Sequence, residues 1–162
     1  MKIGIIVAMD KEFAQLRSLL SDSRTEHRNH KDFVLGTIAQ NRIIMQQCGI
    51  GKVNAAIGAV EMIDNYHPDL VVSSGVAGGA STALNVTEVV VGTEYAYHDA
   101  YCGSECEYGQ VMGMPTKFRS PEQFTAIALD IRCTTPIHAG LIVSGEWFVD
   151  SREKMVQILD KF

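Results

Sequence analysis

Apolar and polar stretches alternate along the chain in a way that predicts strands and helices in turn. Residues 3–8, Ile-Gly-Ile-Ile-Val-Ala, carry no polar side chain, which is typical of a strand covered on both faces. Phe13, Leu16 and Leu20 then recur at helical spacing, and Asp10 is the expected N-cap of that helix. The chain is therefore predicted to begin with a buried strand, a tight turn and a helix.

The later segments continue this alternation. Residues 21–31 are polar and predict a surface connection, while 32–39 and 42–48 predict a hairpin that turns at Gln40-Asn41. Further strands are expected at 70–72, within 86–97 and at 139–143, with a long irregular segment over 98–120. Helices are expected over 121–132, over 151–162, and around a central apolar stripe formed by Val53, Ala56, Ile57, Val60 and Ile63. The predicted class is α/β with a mainly parallel, twisted central sheet flanked by helices, within a single domain over 1–162.

Composition narrows the classes of partner. The 162 residues are 46% hydrophobic and 20% charged, as in ordinary globular proteins, and the net charge of −5 argues against nucleic acid or an anionic membrane. No apolar run has the length of a membrane span, so a cytoplasmic location is expected. The four cysteines form no CxxC pair and are expected to be free thiols.

Glu12 is the first candidate for chemistry. It lies in the first turn of the predicted helix, just after the carboxyl end of a buried strand, where open α/β sheets bind their ligands. The positive end of the helix dipole favours an ionised carboxylate there. The sequence alone also allows a simpler role, in which Glu12 only complements that dipole.

Two glycine-rich segments invite a phosphate-binding interpretation, but neither matches a known fingerprint. Gly49-Ile50-Gly51-Lys52 is followed by Val53 instead of the serine or threonine of a P-loop, and residues 75–79 have the wrong spacing for a dinucleotide site. These glycines either form tight turns at strand ends or let the backbone approach a flat ligand closely.

Two further groups of residues leave alternatives open. His98, Asp99, Cys102 and Cys106 match no zinc-binding spacing, so no metal is expected. Trp147 and Phe148 follow a predicted strand, and they form either a core aromatic pair or a surface on which a base stacks.

Taken together and in order, these segments resemble the bacterial 5′-methylthioadenosine/S-adenosylhomocysteine nucleosidases. The resemblance is carried by residues 4–12, 49–53, 75–79, 97–100, 107–110 and 140–145. It implies a nucleoside phosphorylase-like fold, a homodimer, no metal or organic cofactor, and a small-molecule adenine nucleoside as substrate. The implied reaction is hydrolysis of the N-glycosidic bond, releasing adenine and a 5′-thio-substituted ribose, in methionine salvage.

The resemblance also implies roles for particular residues. Glu12 matches the carboxylate that activates the attacking water, Phe148 the aromatic residue that stacks on adenine, and Val149 the neighbour whose backbone meets the base. The residues that match the lining of the ribose and base sites are Met9, Ile50, Val76, Ala77 and Gly78. Many relatives carry serine where this chain has Val76, and the loop between Cys102 and Met112 matches one that closes the partner subunit's alkylthio pocket.

The resemblance implies that the family continues beyond Phe162, for roughly another third of its length in a domain class that often exceeds 200 residues. That part would supply a glutamate that holds the ribose hydroxyls and an aspartate that protonates adenine. A polypeptide ending at Phe162 is therefore expected to be inactive. The alternatives are a nucleoside phosphorylase of the same fold and a non-catalytic fragment that binds nucleoside or dimerises.

Overall fold

The computed structural model describes all 162 residues, Met1–Phe162. The chain divides into two compact units, an N-terminal unit, Met1–Ala77, and a C-terminal unit, Gly78–Phe162. The organisation as a single domain stays a prediction. Strands alternate with helices in both units, which confirms the α/β class. None of the four helices combines the length and the hydropathy needed to cross a membrane.

The N-terminal unit is built on a five-stranded sheet with the order β2-β3-β4-β1-β5. Its parallel part consists of β4, β1 and β5, and the antiparallel strands β2 and β3 extend it on one side. In chain order its elements are β1 (Lys2–Val7), α1 (Asp10–Arg17), β2 (Ser21–Arg28), β3 (Lys31–Ile38), β4 (Asn41–Gln47), α2 (Lys52–Tyr66) and β5 (Leu70–Ser73).

Both faces of this sheet are covered by a helix. On one face Ile6, Phe33 and Ile44 pack with Met62 and Tyr66 of α2. On the other face a second cluster joins apolar side chains of the sheet to α1, and its members include Ile3, Ile5, Val34, Ile43, Met45, Phe13 and Leu16. Successive residues of β1 therefore enter opposite cores, which is why residues 3–8 carry no polar side chain.

The prediction of a surface connection over residues 21–31 is wrong, because Ser21–Arg28 forms strand β2. This strand lies at the edge of the sheet with most of its side chains exposed, so it shows no apolar pattern. Glu26 accepts hydrogen bonds from Arg24, Arg28 and the Tyr66 hydroxyl. These bonds, led by the one from Arg24, hold the pKa of Glu26 below its ordinary value.

Helix α2 is present where it was predicted, but the side chains that face the core are different ones. The buried residues of α2 are Gly58, Met62 and Tyr66, spaced four residues apart. Four aliphatic members of the predicted apolar stripe are 46–67% exposed, namely Val53, Ile57, Val60 and Ile63. The helix thus carries two apolar faces, and only one of them is buried within the unit.

The C-terminal unit contains a three-stranded sheet with the order β7-β6-β8, in which β6 and β8 are parallel. Its elements are β6 (Val89–Tyr97), the short β7 (Phe118–Arg119), α3 (Glu122–Leu129), β8 (Ile137–Ser144) and α4 (Arg152–Leu159). Helix α3 is shorter than predicted, and Pro121 is its N-cap. Of the unit's large apolar side chains only Ile158 is buried, and it is 6% exposed.

Gly58 provides a test of packing between α2 and β4. A Cβ atom at this position would lie 2.7 Å from Cβ of Cys48 and 2.8 Å from Oε1 of Gln46. Alanine usually stabilises a helix interior by about 1 kcal/mol over glycine, but overpacking costs about 1–3 kcal/mol. We expect Gly58→Ala to lower the free energy of unfolding, measured by denaturant titration, by about 1 kcal/mol net.

The matched control is Ala55→Gly, at an exposed position of the same helix outside its apolar stripe. It should cost about the ordinary propensity difference of 1 kcal/mol. A stabilising effect of Gly58→Ala would show that α2 does not approach β4 as closely as described.

Candidate active site

Glu12 lies in the first turn of α1, but the cap of that helix differs from the prediction. The N-cap is Met9, with an extended backbone conformation, and Asp10 is the first helical residue. Oε2 of Glu12 accepts a hydrogen bond from the Met9 N–H at 3.0 Å. The side chain three residues into the helix therefore satisfies a backbone donor at its start, as in the reciprocal half of a capping box.

The other carboxylate oxygen of Glu12 binds the end of a second strand. Oε1 accepts a hydrogen bond from the Val76 N–H at 2.9 Å, just beyond β5. Gly75 leaves room for this contact, because a Cβ atom there would lie 2.8 Å from Oε1. Glu12 is thus held by two backbone donors, and each oxygen keeps lone-pair capacity for another hydrogen bond.

The turn after β4 lies at the same edge of the sheet. Cys48 continues the pairing with β1 through its N–H to the Val7 carbonyl at 2.9 Å. Gly49 and Gly51 have φ values of 96° and 98°, a region that glycine adopts without strain, and between them Ile50 is 71% exposed. This turn geometry accounts for both glycines without a ligand.

Cys48 is not a candidate nucleophile. Burial raises the pKa of its thiol, and the sulfur donates to the Val7 carbonyl at 3.3 Å. A raised pKa keeps the thiol protonated at neutral pH, whereas reactive cysteines are thiolates. Its role is to pack between β1 and α2.

The carboxyl edge of the parallel strands therefore gathers the predicted site residues of the N-terminal unit. Glu12 and Met9 follow β1, Ile50 follows β4, and Val76 and Ala77 follow β5. Val76 is 79% exposed, so its side chain is available to a ligand although its N–H is bound to Glu12. Open α/β sheets bind ligands at this kind of edge.

The other predicted residues belong to the C-terminal unit. Phe148 lies after the carboxyl end of β8 and is 82% exposed, while Val149 is half-buried. The side chain of Phe148 is therefore not part of a core aromatic pair. Trp147 packs instead against His98, with ring centroids 4.7 Å apart and an interplanar angle of 89°. Gly78 is exposed, and no atom within 4 Å would meet a Cβ there.

Sequence reasoning did not assign a role to His98 and Asp99 beyond excluding a metal. In the structure both contact the segment that carries Phe148, and the Tyr108 hydroxyl donates to the His98 carbonyl at 3.0 Å. No group of three or more His, Cys, Asp or Glu residues is arranged to hold a metal ion. Two concave surfaces, one beside Lys2 and Arg42 and one beside Pro136, include none of the predicted site residues.

Comparison with known proteins defines the class. The family model of the phosphorylase superfamily matches residues 2–162. The chain therefore belongs to the phosphorylase superfamily, as a two-sided α/β sheet with its candidate residues at the carboxyl edge of the strands suggests.

Individual relatives narrow this class. The chain is 36% identical to the 5′-methylthioadenosine/S-adenosylhomocysteine nucleosidases of an Exiguobacterium species and of Bacillus cereus, over its entire length and over 71% and 72% of theirs. It belongs to this nucleosidase family.

Solved structures agree. The nucleosidase of Neisseria meningitidis in complex with methylthio-immucillin-A superposes with a TM-score of 0.91 at 32% identity, covering 99% of this chain and 71% of that one. The enzyme of Streptococcus pneumoniae with a transition-state inhibitor gives 0.94 at 31% identity, with the same coverage. The enzyme of Colwellia psychrerythraea in complex with adenine gives 0.93 at 32% identity and covers 100% and 69%. These matches confirm the nucleoside phosphorylase-like fold.

Proposed function

We propose that the protein containing this chain hydrolyses the N-glycosidic bond of 5′-methylthioadenosine and S-adenosylhomocysteine, releasing adenine and the 5′-thio-substituted ribose. The observation that carries the proposal is the Glu12 carboxylate, held by two backbone N–H groups at the carboxyl edge of the sheet. The names of the relatives and the adenine and nucleoside-analogue complexes of the structural neighbours support the substrate class.

In this mechanism Glu12 is the general base. A water oxygen attacks the anomeric carbon as the bond to adenine breaks, and the bonding electron pair leaves with adenine, which takes up a proton from the aspartate that the family resemblance implies. Glu12 accepts a proton from the attacking water, through the lone pairs that Met9 and Val76 leave free. Because both carboxylate oxygens are fixed by the backbone, the base does not have to reorganise during the reaction.

The remaining predicted residues are proposed to bind the nucleoside. Phe148 stacks on adenine and Val149 meets the base through its backbone. The residues that line the ribose and base sites are Met9, Ile50, Val76, Ala77 and Gly78. The high exposure of Phe148, Ile50 and Val76 supports these roles, since large apolar side chains at that exposure are available to a ligand.

The choice of water over phosphate as nucleophile follows from charge. The first turn of α1 carries two carboxylates, Asp10 and Glu12, against one cation, Lys11, and residues 75–79 contain no cation. Phosphate needs cationic or multiple N–H donors, and here one of the N–H groups is already bound to Glu12.

We expect the full-length gene product to release adenine at the same rate with and without phosphate, measured by adenine detection and product analysis. Phosphate-dependent turnover yielding ribose 1-phosphate would instead establish a phosphorylase.

Glu12→Gln tests the general base. Glutamine keeps the shape but cannot take up the proton, so turnover should fall by about 10²–10⁴-fold while adenine still binds. The assay is steady-state adenine release by the full-length protein, with thermal unfolding measured in parallel because one backbone hydrogen bond is weakened.

Asp10→Asn is the matched control, because it removes an exposed carboxylate from the same helical turn without touching Met9 or Val76. Its turnover should stay within about threefold of the parent, well short of a general-base loss. Equal losses in the two variants would remove Glu12 from the role of base.

We also propose a homodimer that buries the exposed apolar face of α2. Val53, Ile57, Val60 and Ile63 repeat every three to four residues and are 46–67% exposed. A contiguous apolar face on a helix is typical of an interaction surface. The net charge of the chain, −5, makes non-specific self-association unfavourable, so a dimer requires such a specific apolar contact.

Val60→Asp should convert the dimer to monomer, because a carboxylate buried in an apolar interface costs several kcal/mol of association free energy. Sedimentation of the full-length protein measures the change. Ile127→Asp, at an equally exposed apolar position of α3, is the control and should leave the dimer intact. The reverse result would move the interface from α2 to α3.

A further inference from the structure

We propose that His98 and Asp99 are positioning residues that hold residues 145–147 and thereby fix Phe148 for its ligand. The proposal rests on the proposed function for one element, the stacking of adenine on Phe148. It assigns a purpose to a buried histidine and a carboxylate that the general-base mechanism does not use.

The first observation is the anchoring of the segment by Asp99. The pairing of β6 with β8 runs to Tyr97 and Ser144, and the His98 N–H donates to the Ser144 carbonyl at 2.9 Å. One residue further, Oδ2 of Asp99 accepts the Glu146 N–H at 2.8 Å. This charge-assisted bond holds the backbone of the loop where the sheet pairing has ended.

The second observation is the ring of His98. It is only 4% exposed, and its Nδ1 atom is buried without a hydrogen-bond partner. The ring meets Trp147 edge to face, and a Cβ atom at Gly145 would collide with it. Residues 145 and 147 therefore both pack closely against the His98 side chain.

A buried polar atom without a partner lowers stability, so the contacts of the His98 ring with residues 145 and 147 are kept at a cost. The Tyr108 hydroxyl fixes the backbone of His98 by donating to its carbonyl. The ring, fixed in this way, contacts both Gly145 and Trp147 and so determines their positions.

These contacts bear directly on Phe148. Its side chain is 82% exposed, so packing of its own does not hold it in place. Its backbone is held from both directions, by residues 145–147 on one side and on the other by Lys154, whose Nζ donates to the Phe148 carbonyl at 3.0 Å. Holding an exposed aromatic residue in its bound position reduces the entropy lost when a ligand stacks on it.

A double-mutant cycle in the full-length protein tests this role. The variants are Asp99→Ala, Phe148→Ala and the pair, with adenine affinity measured by calorimetry and KM and kcat by adenine release. We expect Asp99→Ala to weaken adenine binding and raise KM by about tenfold, while kcat changes less than about threefold. Added to Phe148→Ala, it should weaken binding no further, because it acts through that ring.

Two more variants separate positioning from general destabilisation. Asp99→Asn keeps an acceptor for the Glu146 N–H and should recover most of the affinity. Gly145→Ala leaves both positioning residues intact but clashes with the His98 ring, so it should reproduce the loss. Trp147 is the only tryptophan of the 162 residues, so its fluorescence reports the displacement of residues 145–147 in each variant. The variant Trp147→Phe identifies the part of the fluorescence signal that comes from Trp147.

His138→Ala is the matched control. His138 pairs with Glu88 at 2.9 Å and lies on the same strand pair, at its opposite end, beside Val90. The substitution removes a side-chain contact of the same strand pair and leaves Asp99 in place, so adenine affinity should change less than about twofold. A loss equal to that of Asp99→Ala would show that any weakening of the β6–β8 pair has the same effect, which would overturn the proposal.

The remaining outcomes are distinct. If Phe148→Ala itself leaves adenine affinity unchanged, the base-stacking part of the proposed function fails. If Phe148→Ala weakens binding but Asp99→Ala does not, or the two losses add in full, the positioning role is overturned and the proposed function stands. The thermal unfolding of each variant is measured first. If Asp99→Ala does not fold, the adenine affinities of Asp99→Asn and Gly145→Ala decide between the same outcomes.

Discussion

The carboxylate of Glu12 is the interaction on which the candidate site depends. It accepts one hydrogen bond from the start of α1 and one from the chain leaving β5, so a single side chain ties the helix to a strand that β1 pairs with. The same contact explains the glycine at position 75, where any side chain would displace the carboxylate. The same carboxylate therefore stabilises the fold and serves as the proposed general base. A substitution of Glu12 should be tested for its effect on the free energy of unfolding as well as on the rate of turnover.

Predictions from sequence succeeded where burial imposes a pattern. The apolar run before Glu12, the hairpin of β3 and β4 and the parallel strands all follow from side chains that enter a core. Strand β2 was missed because an exposed edge strand has no apolar alternation. It forms by pairing with β3, and its own residues carry no signal of that pairing. The buried face of α2 was assigned wrongly because the helix carries two apolar faces, and periodicity does not say which one meets the sheet.

The candidate site divides in the same way. The place of Glu12 follows from a strand, a turn and a helix start, all of which are local in the sequence. Its bond to the Val76 N–H joins residues 64 positions apart and has no local signal. The roles of His98 and Asp99 also depend on a parallel strand pair, β6 and β8, whose register brings Tyr97 beside Ser144. A buried histidine directly followed by an aspartate at a strand end was the available hint.

The charged edge strand β2 has a consequence for how this protein behaves in concentrated solution. An unpaired strand edge is a template on which further chains can add, and such growth leads to aggregates. Arg24, Glu26 and Arg28 place charged side chains of both signs along β2. Another strand docking there would have to dehydrate them and break their mutual contacts. Glu26, whose lowered pKa keeps it ionised into mildly acidic conditions, extends this protection below neutral pH.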